Sequence, residues 1–191
     1  MSPDSKPQTA AVNQASADLR NYLKATELEF EEPAPGTFAV TVPGEHRLKT
    51  TVSIVVGTHG VSLNAFVVRN PDENHLTVYR WLLERNRKIY ALAYASDQFG
   101  DIYLVGKFPH SSMNPDELDR IFGSIAENCD GMFDHLLELG FKTSIQREWA
   151  WRLSRGESTR NLAAFTHLKP DAAGDDEASG SWDSVPTPPK D

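Results

Sequence analysis

The chain has 191 residues, and its 19 basic and 27 acidic residues give a net charge of -8. This length predicts one domain with terminal extensions. No run approaches 18 apolar residues, so we predict no membrane span, and the first residues lack a signal-peptide pattern. The single cysteine, Cys129, excludes a disulfide framework. The acidic balance disfavours nucleic-acid binding. We expect a cytoplasmic protein without nucleic-acid partners.

Composition divides the chain into three segments. From Leu168 to Asp191, six acidic residues and two lysines give a net charge of -4, half of the total. A polar, Pro-rich segment of this kind buries too little apolar surface to offset the entropy of ordering. We therefore predict a disordered N-terminus over 1–12, a folded domain over 13–154 and a disordered acidic tail over 155–191.

In its first half, the sequence predicts one helix and three strands. Leu19, Tyr22 and Leu23 share a helix face, which predicts a helix over 13–29. Prolines and Gly36 then end the helix. Alternating apolar residues predict strands over the segments 37–42, 50–56 and 61–68.

In its second half, the sequence predicts a helix, a hairpin and two further helices. Asn70 and Pro71 suit the start of a helix, whose expected buried stripe is Leu76, Tyr79, Leu82 and Leu83. Strands are expected over 89–95 and 102–108. Asn114 and Pro115 begin a long helix that Gly140 ends, and a shorter helix over 144–153 places Ile145, Trp149 and Leu153 on one side.

This order, α-βββ-α-ββ-α, predicts an α+β fold. Its hairpins favour a five-stranded antiparallel sheet with helices packed on one face, plus a C-terminal helical extension.

Motifs for catalysis, metal binding and nucleotide binding are missing from the sequence. It contains no HExxH, no Gly-rich phosphate loop and no GxSxG. Cys129 falls on the apolar stripe of the long helix, where a thiol is typical of a core residue. We predict no catalytic residues, no metal and no cofactor.

Two basic stretches allow more than one interpretation. Arg80, Arg85, Arg87 and Lys88 at the end of the second helix favour complementation of the helix dipole. Near the C-terminus, arginines alternate with Trp149 and Trp151. This pattern indicates either a helix that docks one Trp on the core or a face that binds a partner.

The segments Leu83–Tyr94 and Gly100–Val105 resemble the YbjN family of bacterial proteins. The shared features are an "hLL-x-x-N" helix end, a "G-D-I-x-h" strand and a capped acidic helix, here Asn114-Pro115-Asp116-Glu117-Leu118. The likeness covers roughly 19–141. It implies the fold of type III secretion chaperones, which are small, acidic, homodimeric and non-enzymatic and bind segments of client proteins. It also implies a regulatory role.

We therefore predict a non-enzymatic, chaperone-like or regulatory module that binds a protein client or regulator, as a homodimer. The predicted contact residues are Leu76, Tyr79, Leu82, Leu83, Trp149, Trp151 and Arg152. The alternative is a small-ligand sensor with a pocket lined by Tyr90, Tyr94 and Tyr103.

Overall fold

The computed structural model describes the backbone of residues 5–170 and the side chains of residues 9–170. Most of the predicted acidic tail, from 171 onward, lies outside the described residues. The described residues divide into two compact units, with the boundary between Ser144 and Ile145. Within 5–170, no helix has both the length and the apolar composition needed to cross a bilayer.

The first unit contains the sheet and most of the helices. Its elements in chain order are α1 (Ser5–Ala25), β1 (Glu29–Ala34), β2 (Thr37–Pro43), β3 (Lys49–Gly57), β4 (Gly60–Val68), α2 (His75–Asn86), β5 (Ala93–Ser96), β6 (Ile102–Phe108) and α3 (Pro115–Ile125). A π-helical turn over Ala126–Gly131 leads into α4 (Phe133–Arg155), which continues into the second unit.

The strands form one antiparallel sheet in the order β1-β2-β3-β4-β6-β5. The predicted α+β class is confirmed, but the sheet has six strands rather than five. The additional strand is β1, which pairs with β2 from the sheet edge. Its sequence, EFEEPA, has one large apolar residue and a proline. An edge strand tolerates Pro33 because the outer N–H groups have no strand to pair with.

One face of the sheet forms the core. Along β3 and β4, buried residues alternate with exposed ones, as the period of two in the sequence predicts. Helix α1 covers this face with Leu19 and Leu23, both fully buried. Tyr22 of α1 stacks on Phe122 of α3 at 5.5 Å between ring centroids, so both helices lie on the same side.

The turn between β2 and β3 is held by a single carboxylate. Asp130 accepts backbone hydrogen bonds from Glu45, His46 and Arg47 at 2.9, 3.0 and 2.7 Å. Partial burial opposes ionisation of Asp130, but the three N–H donors outweigh it and lower its pKa. An added Cβ on Gly44 would collide with Asp130, so this turn requires glycine.

Helix α2 differs from its prediction in both start and orientation. It begins at His75, because Asn70 does not act as a cap: its side chain donates to the Phe99 carbonyl oxygen at 3.0 Å. The helix buries Val78 and Leu82. Leu76 and Leu83, expected in the buried stripe, are exposed because the Val78–Leu82 side faces the core instead.

The later elements agree in part with their predictions. Strand β6 has the predicted bounds, whereas β5 covers only Ala93–Ser96. Asn114 caps α3 by accepting from the Glu117 N–H at 3.1 Å. The predicted long helix is two helices joined by the π-helical turn. The backbone leaves helical geometry at Phe141 (φ -143°), one residue after the expected end at Gly140.

The second unit has its own small core. Its buried residues are Ile145, Trp149, Leu162, Phe165 and Leu168. The last three lie on a 3₁₀-helical segment, Arg160–Leu168, at the i, i+3, i+6 spacing that aligns side chains in a 3₁₀ helix. The prediction of a disordered tail from 155 is therefore wrong for this segment. At the other end, α1 begins at Ser5 rather than at 13, so the disorder predicted for 1–12 does not hold for 5–12.

A candidate binding surface on helix α2

Helix α2 carries an apolar surface that faces away from the core. We call Leu76, Tyr79 and Leu83 the α2 patch. Leu76 is 83% exposed and Leu83 is 68% exposed. Their i, i+3, i+7 spacing places all three on one helix face. Isolated exposed leucines are common on protein surfaces, whereas a contiguous apolar face on a helix is typical of an interaction site.

The opposite side of α2 fixes the direction in which the patch points. Val78 is fully buried and Leu82 is 7% exposed. The Trp81 ring packs 6.0 Å from that of Tyr94. Leu82, predicted as a contact residue, is therefore a core residue, while Leu76 and Leu83 are exposed and Tyr79 is half-buried.

The start of α2 is tied to the end of the first unit. The N–H groups of Asp72 and Glu73 both donate to the Gly140 carbonyl oxygen, at 2.9 and 3.2 Å. The Glu73 carboxylate accepts from the Thr143 N–H at 2.6 Å. Asn74 donates from its side chain to the Leu139 carbonyl oxygen at 3.1 Å. These bonds hold the first turn in one position.

The end of α2 is tied to strand β5 by Asn86. The Tyr94 N–H donates to Asn86 Oδ1 at 2.7 Å, and Asn86 Nδ2 donates to the Tyr94 carbonyl oxygen at 3.2 Å. The amide therefore pairs with β5 as a neighbouring strand would. Asn86 ends the "hLL-x-x-N" motif, so the motif encodes a tertiary contact.

A polar network continues from this point. The Tyr94 hydroxyl donates to the Asn128 carbonyl oxygen at 2.6 Å, and Arg85 donates to Asn128 Oδ1 at 3.0 Å. Arg85 also pairs with Glu127 at 2.5 Å. Burial raises the pKa of Tyr94 well above its ordinary value of 10, so its hydroxyl stays protonated and donates.

The "G-D-I" motif is likewise structural. Asp101 accepts from the Asn70 N–H at 2.8 Å. Gly100 has φ +85°, and a Cβ there would lie 2.6 Å from Asn70 Nδ2. Glycine is thus required both by the backbone conformation and by the close approach of Asn70.

The predicted contact residues of the second unit have different surroundings. Trp149 is 5% exposed, and its Nε1–H donates to the Phe165 carbonyl oxygen at 3.1 Å, which supports the interpretation that one Trp docks on a core. Trp151 is 43% exposed, and the Arg155 guanidinium lies 5.1 Å from its ring. Arg152 pairs with Glu148 at 2.6 Å. Trp151 and Arg152 stay predicted partner contacts.

The three tyrosines of the sensor hypothesis do not share a pocket. Tyr94 is buried in the core. Tyr103 packs edge-on against Phe66 at 5.6 Å, and Phe66 lies on the face of the sheet opposite the core. The Tyr90 hydroxyl donates to Glu117 at 2.7 Å. Tyr94 lies opposite Leu104 on β6. Because successive strand residues point to opposite faces, Tyr94 and Tyr103 lie on different faces of the sheet.

Among the residues that the structure describes, no group of three or more His, Cys, Asp or Glu side chains could hold a metal ion. Cys129 is fully buried, and burial raises its pKa to about 12. Its thiol is therefore protonated at neutral pH and packs as a small apolar side chain.

These features define an α+β protein whose antiparallel sheet is covered by helices on one face and whose α2 presents an apolar surface. The chain belongs to the YbjN family, described as "Putative bacterial sensory transduction regulator", whose model matches residues 16–138. The resemblance predicted from the two motifs is confirmed.

Relatives and a solved structure were also found. A protein of Mycobacterium leprae, named as uncharacterized, is 53% identical over 170 residues, which are 86% of this chain and 92% of the relative. Another uncharacterized protein, of Mycobacterium tuberculosis, is 50% identical over 157 residues, 80% of this chain and 86% of the relative. A chain of the heterodimeric ExoU–SpcU complex from the type III secretion system of Pseudomonas aeruginosa is 18% identical. It covers 63% of this chain and 96% of its own length, with a TM-score of 0.48.

Proposed function

We propose that this protein is a non-enzymatic, chaperone-like or regulatory protein-binding module that acts as a homodimer through the α2 patch. The observation that carries the proposal is the exposure of Leu76 and Leu83 on a helix whose other side is anchored in the core. The family description, a regulator of sensory transduction, supports a regulatory role.

The spacing of the α2 patch suits a second copy of the same helix. Residues at i, i+3 and i+7 form the seam along which two helices pack. A two-fold axis through Tyr79 would place Leu76 against the partner subunit's Leu83, and the reverse contact follows by symmetry. One patch therefore supplies both halves of the interface.

The rim of the α2 patch carries charges of both signs. Arg80 and Glu84 pair on the same helix at 3.0 Å, and Arg87 is exposed on the following turn. Because Arg80 and Glu84 neutralise each other within one helix, they add little repulsion between two copies of α2.

The expected dimer is weak. Each buried leucine contributes about 1.5 to 3 kcal/mol, and the two copies bury four leucines and two tyrosines. Association costs an estimated 4 kcal/mol or more in lost freedom of motion. The balance predicts a dissociation constant on the order of micromolar.

Sedimentation equilibrium over a range of micromolar concentrations tests the proposal. The wild-type protein should pass from monomer to dimer, whereas Leu83→Asp should stay monomeric because it places a charge in the seam. Leu48→Asp is the matched control, since Leu48 is 89% exposed and lies outside α2. It should dimerise like the wild type. A monomeric wild type, or an Leu83→Asp variant that dimerises normally, would overturn the proposal.

The proposed contacts with a separate client or regulator are Trp151 and Arg152. Trp151 is a large, half-exposed aromatic ring flanked by arginines, and Trp and Arg often dominate the binding energy of an interface.

A further inference from the structure

A second surface of α2 forms one wall of a cleft in the first unit. We call it the α2 cleft. Its volume is about 720 Å³, which falls within the roughly 300–1,000 Å³ of small-molecule sites. Its lining residues are Trp81, Glu84, Arg85, Arg87, Lys88, Met132 and His135.

We infer that the α2 cleft binds a small molecule that carries a phosphate group on a ring-bearing scaffold. The first support is the charge of the cleft. It contains three basic side chains and one carboxylate, in a chain whose net charge is -8. A basic cleft on an acidic protein concentrates anions locally.

Two of the three cations are available to a ligand. Arg85 is engaged by Glu127 and Asn128. Arg87 and Lys88 are exposed, and within residues 9–170 neither side chain has an ion-pair partner. The carboxylate of the cleft, Glu84, is paired with Arg80, so it offsets little of this charge.

The charge of a phosphate monoester matches these two cations. It carries about -1.5 to -2 at neutral pH, whereas a single carboxylate carries -1. Arg87 can donate a fork of N–H groups to phosphate oxygens, and Lys88 supplies a compact positive charge. The end of α2 bears a partial negative charge of about half an elementary charge, which is smaller than the two full positive charges of Arg87 and Lys88.

The remaining wall suits the organic part of such a ligand. The rings of Trp81 and His135 lie 5.2 Å apart, and Met132 lies beside them in the lining. Aromatic rings favour stacked or tilted contacts with other rings, and methionine adapts its shape to different partners. The cleft thus combines a cationic end with an aromatic wall.

Isothermal titration calorimetry with adenosine monophosphate tests the inference, with adenosine and inorganic phosphate as partial probes. Adenosine monophosphate should bind saturably, each partial probe should bind at least tenfold more weakly, and added salt should weaken binding. The double variant Arg87→Gln/Lys88→Gln should lose at least tenfold in affinity. The charge-matched control Lys24→Gln/Lys49→Gln, which alters exposed lysines away from the cleft, should bind normally.

Several results would overturn the inference. They are the absence of saturable binding below about 10 mM, unchanged affinity in the cleft variant, and binding of adenosine or inorganic phosphate as tight as that of the nucleotide. Equal melting temperatures of the two double variants separate a binding defect from a folding defect. Leu83→Asp should retain nucleotide binding because Leu83 does not line the cleft, so failure of the dimer proposal leaves this test intact.

Discussion

Asn86→Ala tests whether the end of α2 is held to β5 by a side-chain amide. The substitution removes two hydrogen bonds to the Tyr94 backbone, at 2.7 and 3.2 Å. Each bond contributes about 1 kcal/mol net, and a part-buried polar group left without a partner costs about 1 to 3 kcal/mol. We expect a loss of about 2 to 3 kcal/mol in the free energy of unfolding.

Urea denaturation at one fixed protein concentration measures this loss as a lower midpoint with an unchanged slope. Asn64→Ala is the control because Asn64 is exposed on the open face of the sheet, and it should change the free energy of unfolding by less than about 0.5 kcal/mol. If Asn86→Ala behaves like this control, water replaces the amide at little cost and the tertiary role of the motif is refuted.

Two further predictions concern the turn between β2 and β3. Gly44→Ala should destabilise the protein by about 1 to 3 kcal/mol, because its Cβ would collide with Asp130. Gly123→Ala is the control, because it lies at an open position of α3, and it should stabilise the protein by about 0.5 to 1 kcal/mol. Equal changes in the free energy of unfolding of the two variants, measured by urea denaturation, would refute this reasoning. The hydrogen bond from His46 to Asp134, at 2.6 Å, raises the pKa of His46. Its stabilising effect is therefore present below the unfolded pKa, near 6.5, and is lost as pH rises through the folded pKa. NMR titration should show the raised value, and Asp134→Asn should remove the shift; an unchanged titration in this variant would contradict the assignment.

Several elements follow from local sequence patterns alone. The alternation in β3 and β4 predicts both the strands and their buried face, since side chains on successive strand residues point to opposite sides. The Asn114 cap is local as well, because its donor lies three residues away on Glu117. The two motifs that resemble the YbjN family also predicted the family, although their roles as contacts between elements were not visible.

The bounds of the weaker elements depend on partners distant in sequence. β1 has one large apolar residue, and its strand geometry comes from pairing with β2. The segment Arg160–Leu168 lies in a polar region, yet Leu162 and Phe165 are buried in the second unit. Local composition therefore did not predict the strand β1 or the ordered segment Arg160–Leu168. In both, pairing or burial supplies the free energy that offsets the entropy of ordering.

The candidate binding surface could be identified only from the tertiary structure, because it too depends on contacts with residues distant in sequence. The sequence of α2 offers two apolar stripes, Leu76–Tyr79–Leu83 and Val78–Leu82, and either could face the sheet. The sequence by itself determined that α2 is apolar on more than one side. Only the packing of the first unit decided that Val78 and Leu82 enter the core. The hydrogen bonds to the Gly140 carbonyl oxygen at the start of α2 and the Asn86–Tyr94 pairing at its end set the rotation of the helix. That rotation leaves Leu76 and Leu83 exposed.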